Sequence, residues 1–117
     1  MIISKTPLRM SFVGGGSDMP KFYRQYGGAV LSTAIDKFIY VTINKKFDNE
    51  LRISYSKTEN VKTVSEVEHQ LIRACLSRYG IEGGLEISTV ADIPSKGTGL
   101  GSSSSFTVSF LHCLHAY

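Results

Sequence analysis

The chain of 117 residues contains little cysteine, no tryptophan and no long hydrophobic stretch. Its two cysteines, Cys75 and Cys113, are too few for a disulfide scaffold, and neither has partners at zinc-finger spacing. No apolar run approaches the roughly 20 residues that a membrane span needs, and the N-terminus lacks the basic-then-apolar layout of a signal peptide. We therefore expect a cytoplasmic protein with no membrane partner and no structural zinc.

The excess of positive over negative charge is also small, with a net charge of only +3. It is unevenly spread: residues 1–62 carry a net charge of +5 and residues 63–117 a net charge of −2. Proteins that bind nucleic acids usually have a denser basic stripe than Lys45-Lys46, so we expect no nucleic-acid partner. A basic half is equally suited to attract a phosphorylated small molecule.

Hydrophobic periodicity, broken by clustered glycines, predicts one α+β domain with a mixed or antiparallel sheet. Ser17 or Asp18 is the predicted N-cap of the first helix. Ser65 is the predicted N-cap of the second helix and Gly80 its C-cap, with His69 on the surface of that helix. The predicted strands cover residues 2–13, 29–47, 51–55 and 84–90, and the predicted helices cover 18–26, 65–79 and 102–117.

A loop at residues 92–105 carries the strongest chemical signal. Gly97, Gly99 and Gly101 alternate along it, so that backbone N–H groups can approach a ligand closely. The loop runs into four serines at a predicted helix start, where unpaired N–H groups favour an anion, and Lys96 adds a positive charge. Its glycine spacing matches neither the Walker loop nor the dinucleotide fingerprint, and a flexible turn is the alternative interpretation.

A second segment combines Arg9, on the first strand, with the glycine turn at residues 14–16 and Asp18. The planar fork of arginine grips phosphate or orients a carboxylate, and an aspartate beside exposed backbone suits the hydroxyl groups of a sugar. The alternative is a tight turn in which Asp18 only caps the helix that follows.

Both segments resemble the GHMP kinase superfamily, which includes galactokinases, homoserine kinases and mevalonate kinases. The phosphate loop of that family reads Pro-x-x-x-Gly-Leu-Gly-Ser-Ser and corresponds here to Pro94, Gly99, Leu100, Gly101, Ser102 and Ser103. The triple glycine, and the segment Tyr55-Ser56-Lys57-Thr58-Glu59, resemble the heptose 7-phosphate kinase branch of the family.

The resemblance implies a ribosomal protein S5 domain 2-like fold for residues 1–117, as the N-terminal lobe of a GHMP kinase. It implies ATP and Mg²⁺ as cofactors, with Ser103 as a metal ligand. Arg9 would lie near the reacting hydroxyl, and a catalytic aspartate is expected beyond residue 117. The implied acceptor contacts are Arg9, Gly15, Gly16, Ser17 and Asp18, and the implied ATP contacts are Lys96, Gly97, Thr98, Gly99, Leu100, Gly101, Ser102, Ser103 and Ser104.

The implied activity is transfer of phosphate to the anomeric position of D-glycero-D-manno-heptose 7-phosphate. Another kinase of the same superfamily is the first alternative, and a non-catalytic S5-like RNA-binding module is the second. The last helix has no stop signal, so we expect the chain to be truncated and inactive alone. We also expect Phe106, Phe110 and Leu114 to expose an apolar face that favours self-association.

Overall fold

The computed structural model describes residues 1–94 and 100–117. A single 3₁₀ turn at Val64–Glu66 precedes the second helix. The predicted α+β class is confirmed, and the elements in chain order are β1 (Ile2–Val13), α1 (Pro20–Tyr26), β2 (Leu31–Lys45), β3 (Leu51–Ser54), β4 (Thr58–Val61), α2 (Gln70–Tyr79), β5 (Leu85–Ala91) and α3 (Ser102–Ala116).

The five strands form one mixed sheet in the order β1-β2-β5-β3-β4. Every neighbouring pair is antiparallel except β3 and β5, which are parallel with Ile53 opposite Ile87. Strand β4 is absent from the sequence-based prediction, because its four residues are mostly polar and show no hydrophobic alternation. It exists because it pairs with β3 and extends the edge of the sheet.

Helix α3 packs across β1 and β2 and covers one face of the sheet. Its Phe110 is fully buried, and Phe106 and Leu114 keep only 6% and 3% of their surface exposed. The expectation that these three side chains form an exposed face is therefore wrong. The helix approaches β1 closely because its facing residue there is small: the buried Ser109 hydroxyl bonds to the Ser4 hydroxyl at 3.0 Å.

Two predicted helix starts are also wrong. Helix α2 begins at Gln70 rather than at Ser65, and the Nδ1 atom of His69 caps it by accepting a hydrogen bond from the backbone N–H of Ile72. The chain is extended at Val67 and so separates the 3₁₀ turn from the helix. The predicted C-cap is confirmed, because Gly80 ends α2 in the left-handed conformation.

Helix α1 has Met19 as its N-cap residue, with no side-chain cap, so neither Ser17 nor Asp18 has the predicted capping role. The side chains of α1 are all at least partly exposed, as are Phe12, Val13 and Leu31 at the adjoining ends of β1 and β2. No helix in the described part of the chain is long and apolar enough to cross a membrane.

Candidate functional site

Strand β1 and the start of α3 meet at an irregularity in the sheet. The register between β1 and β2 shifts between Pro7 and Arg9. The shift leaves the carbonyl oxygen of Pro7 and the backbone N–H of Arg9 available for partners outside the sheet. The backbone N–H of Arg9 donates to the carbonyl oxygen of Leu100 at 3.3 Å, and the Ser105 hydroxyl donates to the carbonyl oxygen of Pro7 at 3.1 Å. The irregularity therefore joins the β1 segment that carries Arg9 to the start of α3.

The Arg9 side chain lies directly against Gly101. A Cβ atom on Gly101 would be 3.1 Å from the Cγ and 3.2 Å from the Nε of Arg9. Gly101 also has a φ of +69°, a conformation that side chains rarely adopt, so this position favours glycine for two independent reasons. The Nη1 atom of Arg9 donates to the Ser11 hydroxyl at 2.6 Å, which holds the guanidinium beside β1.

The first turn of α3 offers an anion-binding environment. The earliest backbone bond of the helix runs from the N–H of Ser105 to the carbonyl oxygen of Gly101 at 3.0 Å, so the N–H groups of Ser103 and Ser104 have no acceptor within the helix. The turn holds no acidic residue, and the Arg9 guanidinium is next to it. The helix dipole and the arginine together favour a negatively charged ligand such as a phosphate.

The serines of this turn have different surroundings. The Ser104 hydroxyl bonds back to the carbonyl oxygen of Gly101 at 3.2 Å, and Ser105 is buried against β1. Ser103 is exposed, and it lines the adjoining cavity together with Ser102. Ser103 is therefore the best placed of the exposed hydroxyls to reach a ligand or a metal ion.

A cavity of about 410 Å³ opens beside the start of α3. The cavity is not predictable from local sequence, because its walls come from distant parts of the chain. The buried hydroxyl oxygen of Thr89, another residue of the cavity wall, has no hydrogen-bond partner within residues 1–94 and 100–117. The lining residues are Ile39, Tyr55, Ser56, His69, Leu71, Thr89, Ala91, Ile93, Ser102, Ser103 and Phe106.

The glycine turn after β1 is held by Ser17 rather than by Asp18. The Ser17 hydroxyl lies 2.7 Å from the carbonyl oxygen of Gly14 and 2.9 Å from that of Ala29, and it accepts from the Ala29 N–H at 3.1 Å. These bonds join the turn to the start of β2. Gly15 and Gly16 are exposed on the turn between them.

Asp18 is exposed next to this turn, and its carboxylate has no hydrogen bond or ion pair within the part of the chain that the structure describes. It lines a second cavity of about 450 Å³ with Ser17, Tyr23, Gly28, Ala29 and Val30. Because Met19 is the N-cap residue of α1, the interpretation of Asp18 as a helix cap is wrong. The carboxylate is available to accept hydrogen bonds from a ligand.

Some predicted site residues lie outside the described residues, namely Lys96, Gly97, Thr98 and Gly99. Four residues separate Pro94 from Gly99, whereas the family pattern has three, so this loop departs from the pattern by one inserted residue. Within the described ranges, no group of three or more His, Cys, Asp or Glu residues could hold a metal ion. Ser103 would need ligands from elsewhere to hold Mg²⁺.

Comparison with known proteins points to one family. Residues 62–117 match the model of the GHMP kinases N terminal domain. The D-glycero-alpha-D-manno-heptose 7-phosphate kinase of Campylobacter jejuni is 29% identical over 119 residues, which cover 92% of this chain and 35% of that protein. The chain thus spans about a third of the length of this curated relative.

Solved structures show the same fold. A D-glycero-D-manno-heptose 1-phosphate kinase from Bacteroides thetaiotaomicron superposes with a TM-score of 0.82 at 27% identity, over 97% of this chain and 40% of that one. The mevalonate kinase of Methanococcus jannaschii superposes with a TM-score of 0.73 at 21% identity, over 98% of this chain and 39% of that one. The resemblance predicted from the sequence is therefore confirmed: residues 62–117 match the model of the GHMP kinases N terminal domain, and the described residues share the fold of the heptose 1-phosphate kinase and mevalonate kinase structures.

Proposed function

We propose that the protein is a sugar-phosphate kinase that transfers the terminal phosphoryl group of ATP to a hydroxyl group of its acceptor. The observation that supports this most directly is the contact between Arg9 and Gly101 at the N-terminus of α3. It brings a fixed positive charge to a helix start where backbone N–H groups and the dipole also favour phosphate. Phosphoryl transfer depends on such positioning and charge neutralisation more than on covalent catalysis.

The two parts of ATP have separate places in this proposal. The phosphates lie along the loop that includes Leu100 and Gly101, and reach the first turn of α3 at Ser102, Ser103 and Ser104. The nucleoside occupies the cavity of about 410 Å³, which is next to Ser103 and has aromatic side chains in its wall. Planar, partly apolar bases suit such a wall. The largely buried side chain of Phe106 forms part of it.

Mg²⁺ fits this arrangement as a cofactor held mainly by the phosphates. Mg²⁺ in such sites keeps several waters and takes only one or two protein ligands, so the exposed Ser103 hydroxyl is a suitable contributor. When bound, the ion supplies neutralisation of charge on the phosphates. We expect its acidic ligand to come from a part of the protein beyond residue 117.

The acceptor binds at the turn after β1, where Asp18 offers a carboxylate to sugar hydroxyls inside the cavity of about 450 Å³. An acceptor oxygen attacks the terminal phosphorus of ATP, the new O–P bond forms as the bond to the bridging oxygen breaks, and ADP leaves. The proton of the hydroxyl passes to a base, which we expect to be an aspartate beyond residue 117. Arg9 stabilises the charge on the phosphoryl group during transfer.

D-glycero-D-manno-heptose 7-phosphate is the proposed acceptor and the 1,7-bisphosphate the product, in the cytoplasm, where ATP is available. The heptose 7-phosphate kinase at 29% identity supports this choice, and the heptose 1-phosphate kinase at 27% identity supports a heptose phosphate as the class of acceptor. The basic first half of the chain, with its net charge of +5, suits a substrate that already carries a phosphate.

The test is an acceptor panel with the full-length protein and Mg-ATP. Heptose 7-phosphate, heptose 1-phosphate, galactose and mevalonate are each incubated, and phosphorus NMR identifies the product. We expect turnover with heptose 7-phosphate and a new anomeric phosphate signal. Turnover with galactose or mevalonate alone would favour another branch of the superfamily, and RNA binding that weakens with salt, without ATP binding, would favour the S5-like RNA-binding module.

A further inference from the structure

Glu59, on β4, is the only charged residue in the core of the described chain, with 6% of its surface exposed. A buried carboxylate is unfavourable unless hydrogen bonds replace its lost water. Both oxygens of Glu59 have such partners: Oε1 accepts from the Tyr55 hydroxyl at 2.6 Å, and Oε2 accepts from the backbone N–H of Glu68 at 2.7 Å. Glu59 therefore joins the turn between β3 and β4 to the segment that enters α2.

The carboxylate stays ionised in this position. Burial opposes ionisation, but the hydrogen bonds from Tyr55 and from the Glu68 backbone outweigh it, so the pKa of Glu59 lies below its ordinary value. The same surroundings raise the pKa of Tyr55, first through burial and then through the hydrogen bond to Glu59. The hydroxyl of Tyr55 thus remains a donor and Glu59 an acceptor over the whole neutral range.

The groups that Glu59 holds form one wall of the cavity beside α3. The ring of Tyr55 meets the ring of His69 edge-on, with centroids 4.9 Å apart. The ring of His69 in turn lies 5.3 Å from that of Phe106 on α3. Glu68, whose N–H bonds to Glu59, directly precedes His69, so one carboxylate sets the position of two of the three rings.

An ion pair on the outside of the same two segments provides a comparison. Lys57 and Glu68 pair through their side chains, and both are well exposed. Neither of them lines the cavity. The two segments thus have one inner link, through Glu59, and one outer link, through Lys57.

We propose that Glu59 is a positioning residue for nucleotide binding: it holds Tyr55 and His69 so that the cavity receives the base of the nucleotide. This inference rests on the proposed function. Glu59 does not line the cavity itself and acts through the two rings. Without its carboxylate, the turn after β3 and the segment before α2 would lose the inner link, and the wall would have to order itself when the base binds.

The experiment compares two ligands that share the phosphate chain and differ in the base. ATP and inorganic tripolyphosphate are titrated into the full-length protein by calorimetry, as wild type and as Glu59→Gln, Tyr55→Phe and Lys57→Ala. In Glu59→Gln, the loss of a charge-assisted acceptor should weaken ATP binding about tenfold. Tyr55→Phe should weaken it by a smaller factor, while tripolyphosphate affinity stays unchanged in both. Lys57→Ala breaks the outer ion pair but keeps the Glu59 carboxylate and its hydrogen bonds to Tyr55 and Glu68, so it should bind both ligands nearly as the wild type does.

The outcomes separate the inference from the proposed function. If the folded wild type binds neither ligand, the proposed function is wrong and the inference fails with it. If the wild type binds ATP and both Glu59→Gln and Tyr55→Phe bind it equally well, only the inference is overturned. Equal weakening of ATP and tripolyphosphate also overturns it, because that result indicates a general loss of structure. If Glu59→Gln does not fold, Tyr55→Phe decides the matter, since it keeps the buried carboxylate.

Discussion

Arg9 and Gly101 are in contact through the side chain of one and the backbone of the other. A Cβ atom on Gly101 would lie 3.1 Å from the Cγ of Arg9, and the backbone N–H of Arg9 donates to Leu100, the neighbour of Gly101. The contact places Arg9, which precedes the glycine turn at residues 14–16, at the start of α3, which follows the loop that includes Gly101. In the proposed function, Arg9 would therefore contribute both to the acceptor site and to the phosphate site.

Substitution of Gly101 should affect ATP binding beyond its effect on stability. Alanine at a φ of +69° costs about 1 kcal/mol of stability in backbone strain, and here its Cβ would also press on Arg9. Gly80→Ala is the matched control, because Gly80 has a φ of +66° and open space around it. We expect a loss of stability in urea unfolding for both variants, at least as large for Gly101→Ala as for Gly80→Ala, and weaker ATP binding by calorimetry only for Gly101→Ala, with Gly101→Val more severe. Equal ATP affinity of the folded variants would contradict the assignment of the loop.

The serines at the start of α3 should separate into functional and structural ones. Ser103→Ala removes an exposed hydroxyl that lines the cavity, so turnover with Mg-ATP should fall while the free energy of unfolding stays within about 0.5 kcal/mol of wild type. Ser105→Ala removes the buried bond to Pro7 and should lower that free energy by about 1 kcal/mol. Steady-state kinetics over a range of Mg²⁺ concentrations and urea unfolding measure the two effects. A loss of stability in Ser103→Ala without a loss of turnover would reverse the two roles.

Asp18 should serve the acceptor and not ATP. Asp18→Ala removes a carboxylate that has no partner within the described residues, so stability should change by less than about 0.5 kcal/mol. Acceptor affinity should fall by about ten- to a hundredfold, which corresponds to the free energy of one charge-assisted hydrogen bond. Glu82→Ala is the control, because Glu82 lies just before β5, whereas the loop that leads to α3 follows β5. It should alter the binding of neither the acceptor nor ATP. Calorimetry with each ligand tests this, and a normal acceptor affinity in Asp18→Ala would exclude a role in substrate binding.

The stability that Glu59 contributes should depend on pH in one direction. Its pKa is lower in the folded state than the ordinary value of about 4.3, so the folded protein binds fewer protons than the unfolded chain near that pH. The contribution is therefore present above the unfolded-state pKa and is lost as the pH falls through the folded-state pKa. The difference in free energy of unfolding between wild type and Glu59→Gln should be constant from pH 7 to about pH 5 and should shrink below about pH 4. Asp48 and Glu66 also have lowered pKa values, but both variants retain them, so their effects cancel. A difference that grows on acidification would contradict the ionised state of Glu59.

Self-association of the 117-residue chain should involve the ends of β1 and β2 and not α3. Phe12, Val13 and Leu31 are 61%, 64% and 62% exposed there, whereas Phe106, Phe110 and Leu114 of α3 are buried against the sheet. Phe12→Ser should therefore shift the sedimentation coefficient towards that of a monomer at concentrations where the parent chain associates. Val90→Ser is the control, since Val90 is 65% exposed on a different part of the sheet. A parent chain that stays monomeric, or an equal effect of both variants, would rule out this surface.

Local sequence was sufficient to predict the features that depend on neighbouring residues. The alternation of Leu8 and its neighbours indicated β1, and Gly80 ended α2 because a glycine adopts the left-handed conformation without a steric penalty. The glycines before α3 and the serines of its first turn predict an anion site on the same local grounds, and that site stays a prediction. The capping predictions at Ser65 and Asp18 failed because capping depends on where the chain bends, and His69 and Met19 take those positions.

Contacts between segments that are distant in the chain were decided by the tertiary structure alone. Pro7 and Ser105 are 98 positions apart in the chain, and their hydrogen bond exists only because β1 deviates from its register under α3. The cavity beside α3 and the burial of Glu59 likewise combine residues from separate elements. Hydrophobic patterning specifies which face of an element is buried, but it does not specify which partner covers that face. The packing of α3 across β1 and β2 therefore determined both the burial of Phe110 and the meeting of Arg9 with Gly101.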